Sequence, residues 1–249
     1  MLADEVLLGV LREAAAAVRD ALDKVEDWGP SGRKAGQYSL DLAADAAALD
    51  VLAQIDVGIL SEETGLHHPE RDVWIALDPV DGSTNASRGL PWYATSLCAV
   101  DAEGPRVAVV VNQATGQRFE AVRGAGATCD GAPIRPTACE RMADAIVGMT
   151  WLPPARPVLR QVRAMGAAAL DICSVASGSL DAYIDFSRDA HSPWDYLGGV
   201  LVCLEAGASV VEPSGRDFVT RGLTDRRIIV AAATKPLLDE AVRVRMALG

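Results

Sequence analysis

Trp74-Ile75-Ala76-Leu77-Asp78-Pro79-Val80-Asp81-Gly82-Ser83-Thr84-Asn85 is the stretch around which the rest of the chain falls into order. Trp74 to Leu77 form a short apolar run, the mark of a buried strand, and that strand ends on a carboxylate instead of a turn glycine. Pro79 removes a backbone donor and is expected to stop the ladder, so Asp78 falls at a strand tip with Asp81 three residues on. Two carboxylates so close repel each other unless a cation or a shared proton lies between them, and the spacing therefore asks for a metal. Gly82 lets the backbone come close to a ligand, and Ser83-Thr84-Asn85 suit a helix start whose free N–H groups face an anion. Taken alone, Asp-Pro-X-Asp-Gly is also compatible with an Asx turn that caps a helix.

Composition narrows the partners. The 249 residues can bury one large core, and 50% hydrophobic, 5% aromatic and 23% charged residues are the proportions of a globular chain. A net charge of -11, with no run of Lys or Arg to offset it locally, argues against nucleic acid and anionic membrane surfaces. An anionic small molecule remains compatible if metals supply the positive charge. The cysteines (Cys98, Cys129, Cys139, Cys173, Cys203) are odd in number and lack Cys-x-x-Cys or zinc spacing, so reduced thiols and a cytoplasmic setting are expected. Asp4 and Glu5 stand where a signal peptide carries bases, and no apolar run reaches transmembrane length.

Outward from the central stretch, apolar residues at Leu7, Leu11, Ala14, Val18, Leu22 and Val25 predict an amphipathic helix from Asp4 to about Asp27. A loop follows whose Arg33 and Lys34 are candidates to reach an anion. A second helix, about Ser39 to Gln54, carries Asp41 and Asp45 on one face, so both are solvated or one faces a cation. Val57 to Ser61 reads as a strand delivering Glu62-Glu63 at its end, and His67-His68 as a polar loop. Trp92 to Val100, Arg106 to Asn112 and Gln117 to Val122 predict an antiparallel sheet, and residues 124–133 a turn-rich link.

Beyond about Arg135 the expected elements are a strand at Ala145 to Thr150, a proline-rich loop and a short helix through Arg163. A helix from Gly166 to about Ala176 and a strand at Leu180 to Ile184 come next. Trp194-Asp195 then heads an apolar helix, Tyr196 to Ala206, stopped by Gly207. Arg227 to Ala232 is a last strand and Lys235 to Leu248 a last helix. Asp195 in that position also suits a simple cap on the helix dipole. Strands and helices in both halves, about 1–134 and 135–249, imply a layered α/β architecture in one domain.

Glu62, Asp78, Asp81 and Asp195 each end or begin an apolar element, where a side chain projects into a shared cleft. An all-oxygen donor set selects a hard cation, most commonly Mg²⁺. Ser61-Glu62-Glu63, then Asp78-Pro79-Val80-Asp81-Gly82-Ser83-Thr84-Asn85, then Trp194-Asp195 with Leu204-Glu205-Ala206-Gly207, resembles the inositol monophosphatase family of magnesium-dependent, lithium-sensitive-type phosphatases. Three motifs in register over nearly the whole chain are far more specific than one.

The resemblance implies an α/β/α/β/α sandwich and hydrolysis of a phosphate monoester by direct attack of a metal-activated water, with no phosphoenzyme. Residue by residue, it assigns Glu62, Asp78 and the Val80 carbonyl to one metal, and Asp78, Asp81 and Asp195 to a second. Glu63 then helps with a weaker third metal or its waters, and Asp45 matches the family's aspartate on the preceding helix, across a shorter segment. Gly82 and Ser83 present N–H groups to the phosphate; Glu62 serves as base and the Ser83 hydroxyl, where the family usually has threonine, as relay.

The Ala168 backbone and Asp185 match the substrate side, and Ala167 stands where the family has a hydroxyl residue. Arg188 and His191 lie in a longer loop, 185–193, where they meet a second phosphate or a ring, or are simply solvated. Inositol monophosphate or a similar cyclitol or sugar phosphate is the expected substrate. Alternatives are fructose 1,6-bisphosphate, 3'-phosphoadenosine 5'-phosphate and histidinol phosphate. The family also implies a homodimer. A non-catalytic, metal-dependent regulatory protein is the rival class, disfavoured because a retired site has no reason to keep repelling carboxylates.

Overall fold

Leu7, Leu11, Ala14, Val18 and Leu22 line the buried face of α1 (Asp4–Leu22), which stops short of the expected Asp27. The structure, a computed structural model, describes residues 2–32, 37–188 and 191–249. Arg33 and Lys34 lie outside the described residues. α2 (Ser39–Leu52) packs along α1 and onto the sheet beneath, with Leu40, Ala44, Ala48 and Leu52 buried. Together these two helices form the outer layer.

Beneath them lies an eight-stranded sheet. Its strands are β1 (Gly58–Ser61), β2 (Gly65–His67), β3 (Trp74–Asp81), β4 (Ala94–Asp101), β5 (Gly104–Asn112), β6 (Arg118–Val122), β7 (Gly126–Cys129) and β8 (Ala132–Pro133), with a single turn of helix, α3 (Ser83–Ser87), between β3 and β4. The order is β2-β1-β3-β4-β5-β6-β7-β8, with β1 parallel to β3 and the other neighbours antiparallel. Period-two alternation sorts β5 cleanly: Val107, Val109 and Val111 face α1 and α2, while Ala108 and Val110 face the opposite core. Residues 124–133 are therefore two strands closing the sheet, not a link. Glu205 accepts hydrogen bonds from the N–H groups of Gly124 and Gly126 at 2.9 Å each, which fixes this turn.

The remaining elements are β9 (Ile146–Thr150), β10 (Gln161–Arg163), α4 (Ala168–Ala176), β11 (Ala182–Asp185), α5 (Pro193–Ala206), β12 (Ser209–Val211), β13 (Val230–Ala232) and α6 (Lys235–Leu248). Their strands make a five-stranded sheet in the order β10-β9-β11-β13-β12. The segment through Arg163 is a short parallel edge strand, not a helix, because it pairs with β9 from Ile146 to Gly148. β12 is an element that the sequence reading lacked.

Helices α4 and α5 lie between the two sheets, and α6 covers the far face of the second with Leu237, Leu238 and Ala241. The stack is thus α1α2, sheet, α4α5, sheet, α6, which is the α/β/α/β/α sandwich expected. All five cysteines are free thiols. No helix of the described residues is long and apolar enough to cross a membrane.

Gly198 and Gly199 allow this close stacking. A Cβ on Gly199 would lie 2.9 Å from Ile172 Cβ and 3.2 Å from the Ala169 carbonyl oxygen. Gly199→Ala should destabilise the fold by about 1–3 kcal/mol through overpacking, against a helix-propensity gain of only about 1 kcal/mol. Urea unfolding checks the sign; a more stable variant would show that α4 and α5 can move apart freely.

Candidate active site

At the seam between the two sheets the acids converge. β3 does not stop at Pro79: it continues to Asp81 through an irregular register in which Asp78 pairs with Ser96 and Asp81 with Ala94. The interruption absorbs the proline, since its missing donor falls within a bulge, and Thr95 Oγ1 donates to the Pro79 carbonyl at 2.9 Å. Val80 N–H donates to Asp78 Oδ1 at 3.0 Å, so the Asx turn and the acid cluster are one structure. Gly82 then takes φ 86° and starts α3. A Cβ there would lie 3.1 Å from Ala167 Cβ, the Gly166 oxygen and the Trp92 oxygen, so glycine is required twice over.

Glu62, Asp78 and Asp195 each offer a carboxylate oxygen within 4.8 Å of the others. Asp78 is buried; Glu62 and Asp195 are half-buried. Asp81 stands beside them but outside this trio, its Oδ2 accepting from the Ala169 N–H at the start of α4 (2.7 Å). Asp195 sits in the first turn of α5 and accepts from Ser192 N–H at 2.7 Å, so capping and clustering are combined in one residue. Ser96 Oγ donates to the Trp194 carbonyl at 3.0 Å and fixes the start of α5 on β4.

Asp45 is buried and accepts from Ser61 Oγ at 2.5 Å; that hydroxyl in turn receives the N–H groups of Glu63 and Thr64. It therefore holds the turn that carries the two glutamates, while Asp41 accepts from Tyr38 N–H at the head of α2. Neither aspartate is solvated. Gln37 Nε2 donates to Glu63. Ser83 is half-buried and Ala168 buried.

On the other side, Asp185 is fully buried at the end of β11. Arg188 is exposed. His191 is not the solvated loop residue that was one of its two readings. Its Nδ1 lies 3.6 Å from Asp195, its Nε2 lies 3.7 Å from Asp185, and Nε2 hydrogen-bonds Tyr183 OH at 2.9 Å. Residues 189 and 190 of the same loop lie outside the described residues. Sequence reasoning also missed Asp171, which is buried on α4 and accepts from Trp92 Nε1 at 2.8 Å. Only an acid in an otherwise apolar helical turn hinted at it.

Burial and mutual repulsion set the electrostatics. Burial first, then Asp195 and Glu63, pushes the Glu62 carboxyl up to about 8. Burial and Glu62 hold Asp78 well above the usual carboxylate range, and burial with Asp195 lifts Asp81 to about 8. Burial opposes charge on His191, but its hydrogen bond to Asp195 and the nearby Asp185 outweigh that and raise the ring to about 9. The donor set is hard oxygen, close-set and short of countercharge, which fits a divalent metal.

Unfolded carboxyls ionise near pH 4, whereas folded Glu62 and Asp81 ionise near 8 without metal. Between those values the folded state holds more protons, so stability present at the acid end is lost as pH rises toward 8, and His191 acts with the same sign. In EDTA, Tm should fall from about pH 5 to about pH 8, and Mg²⁺ should restore more stability at the alkaline end. A Tm that rises steadily over that range in EDTA would contradict the cluster's electrostatics.

Comparison with known proteins agrees with this geometry. The profile of the inositol monophosphatase family matches residues 4–246. A fructose-1,6-bisphosphatase/inositol-1-monophosphatase of Archaeoglobus fulgidus is 32% identical over 251 residues, covering 95% of this chain and 98% of that protein. A protein of the same description from Thermococcus kodakarensis is 34% identical over 204 residues, covering 80% and 79%. The solved inositol monophosphatase from Anabaena (Nostoc) superposes with a TM-score of 0.82 at 24% identity, covering 98% and 97%. With carboxylates gathered at the seam of this layered fold, the chain belongs to the inositol monophosphatase family and is a phosphoric monoester hydrolase.

Proposed function

We propose that this phosphatase uses Mg²⁺ to hydrolyse phosphate monoesters of cyclitols and sugars, inositol monophosphate and fructose 1,6-bisphosphate foremost. The observation that carries the reading is the meeting of Glu62, Asp78 and Asp195 within 4.8 Å at a helix start. The Archaeoglobus and Thermococcus relatives, described as acting on both substrate types, support this range.

Glu62, Asp78 and the Val80 carbonyl would hold one cation, Asp78, Asp81 and Asp195 a second, with Glu63 serving a weaker third and Asp45 supporting from behind. When bound, such ions acidify water and neutralise charge on the leaving oxygen. The Ser83 hydroxyl would relay a proton from the attacking water to Glu62 as the new P–O bond forms and the P–O bond to the alcohol breaks, the departing alkoxide taking its proton from solvent water. The Gly82 and Ser83 N–H groups would donate to phosphate oxygens. The Ala168 backbone would orient the alcohol portion, with Asp185, buried beside His191, acting on it from behind. Arg188, exposed in the loop, is available to a second phosphate. Residues 1–249 act as one domain, in a cytoplasmic homodimer.

Phosphate release from inositol monophosphate and fructose 1,6-bisphosphate, each with Mg²⁺ and with EDTA, tests the reading. Turnover should require the metal. Glu62→Gln should lower kcat by at least about a hundredfold, and Asp81→Asn should abolish turnover with the circular dichroism of the fold unchanged. Near-normal activity of Asp81→Asn would remove the second metal assignment, and no hydrolysis of any monoester by the wild type would remove the enzyme reading.

A further inference from the structure

Arg245 occupies the last turn of α6, on the outer layer, yet it is 6% exposed. Its Nε donates to the Asp185 carbonyl at 2.5 Å and its Nη2 to the Ser187 carbonyl at 2.9 Å, with the guanidinium 5.9 Å from the Phe186 ring centre. Both partners are neutral carbonyls, and among the described residues it forms no ion pair with a carboxylate. Burying a cation this way is costly compared with an apolar side chain, and the same helix fills its other inward positions with Leu237, Leu238 and Ala241. Packing alone does not account for an arginine.

What the guanidinium grips is the point where β11 leaves the sheet. Phe186 N–H donates to the Thr150 carbonyl at 2.8 Å and Ser187 N–H to Asp185 Oδ1 at 2.8 Å, so the turn is tied to β9 and to its own acid. The Asp185 carboxylate faces His191 at 3.7 Å, and His191 faces Asp195 at 3.6 Å. A planar fork can hold two carbonyls at fixed separation, which a lysine cannot.

We propose that Arg245 is a positioning residue for the acid cluster: by clamping the Asp185–Ser187 turn from the outer helix, it sets the Asp185–His191 pair against which Asp195 is oriented. The proposal rests on the metal-dependent reading above, since its consequence is felt at Asp195. Partners of this kind behind a metal ligand are worth about 10–100-fold in affinity or activity.

The test uses the full chain with Arg245→Met, Arg245→Lys and, as a packing control on the same helix, Leu238→Ala. Arg245→Met should speed amide exchange of Phe186 and Ser187, weaken Mn²⁺ binding about tenfold by spin resonance without substrate, and lower kcat with KM little changed. Arg245→Lys should fall between it and wild type. Leu238→Ala should lose stability through its cavity while Mn²⁺ affinity stays at the wild-type value. The proposal is overturned if Arg245→Met behaves like Leu238→Ala, losing Tm alone. Should Arg245→Met fail to fold, Arg245→Lys decides, and wild-type Mn²⁺ affinity in it overturns the clamp. A wild type that binds Mn²⁺ but hydrolyses nothing refutes the phosphatase substrate reading while exchange and Mn²⁺ affinity still judge the clamp.

Discussion

Close-set carboxylates, half-buried and buried, repel one another once ionised, and the arrangement around them answers that repulsion. Each aspartate is braced by a backbone donor: Asp78 by Val80, Asp81 by Ala169 and Asp195 by Ser192. Such bonds keep the acids in place whether they carry a proton or a cation, and they come from three different elements. Glu62 lacks a brace of this kind among the hydrogen bonds of the described residues and is instead set by its turn, which Asp45 holds through Ser61. The cluster is therefore rigid on the β3, α4 and α5 sides and depends on a polar relay on the β1 side.

Contacts from the neighbouring residues join the halves of the molecule. Asn85 Nδ2 reaches the Trp92 and Met165 carbonyls, Trp92 reaches Asp171, Ser96 reaches the Trp194 carbonyl, and Gly82 nests against Gly166 and Ala167. Gly82 directly follows Asp81, and Trp194 directly precedes Asp195, so two of these ties adjoin the acids. The seam beside the carboxylates is thus also where the two halves are tied together. Low local polarity strengthens each charge interaction there, which is why the acids titrate so far from their ordinary range.

Sequence periodicity disclosed α1, α2, α5 and α6 because each has a buried face of its own, with α6 matched end to end, α1 ending five residues earlier than its spacing predicts and α5 starting three earlier, at Pro193. The acids at element ends were legible for a related reason: a carboxylate closing an apolar run has few structural uses. What stayed hidden depended on partners distant in sequence. Pro79 reads as a stop, but the irregular register between the Asp78–Ser96 and Asp81–Ala94 pairs accommodates it. Gln161–Arg163 has all three residues exposed, so no burial pattern marks it, and only pairing with β9 makes it a strand. His191 looks like a loop residue until Tyr183, Asp185 and Asp195 are placed around it.

Charge balance bears on how the site treats its substrate. A chain of net charge -11 presents an unfavourable field to a phosphate ester, and the N-terminus of α4 cannot offset it freely because Ala169 N–H is already given to Asp81. His191 lies between Asp185 and Asp195, so its charge is spent on them, and cations held by the acids would supply the rest. It follows that cation and ester binding are coupled in both directions: each bound cation lowers the repulsion met by the phosphate, and the phosphate in turn supplies anionic oxygens that favour the cation by the same factor. The acids that make the metal-free site unfavourable to its substrate are what allow the loaded site to take an anion from solution.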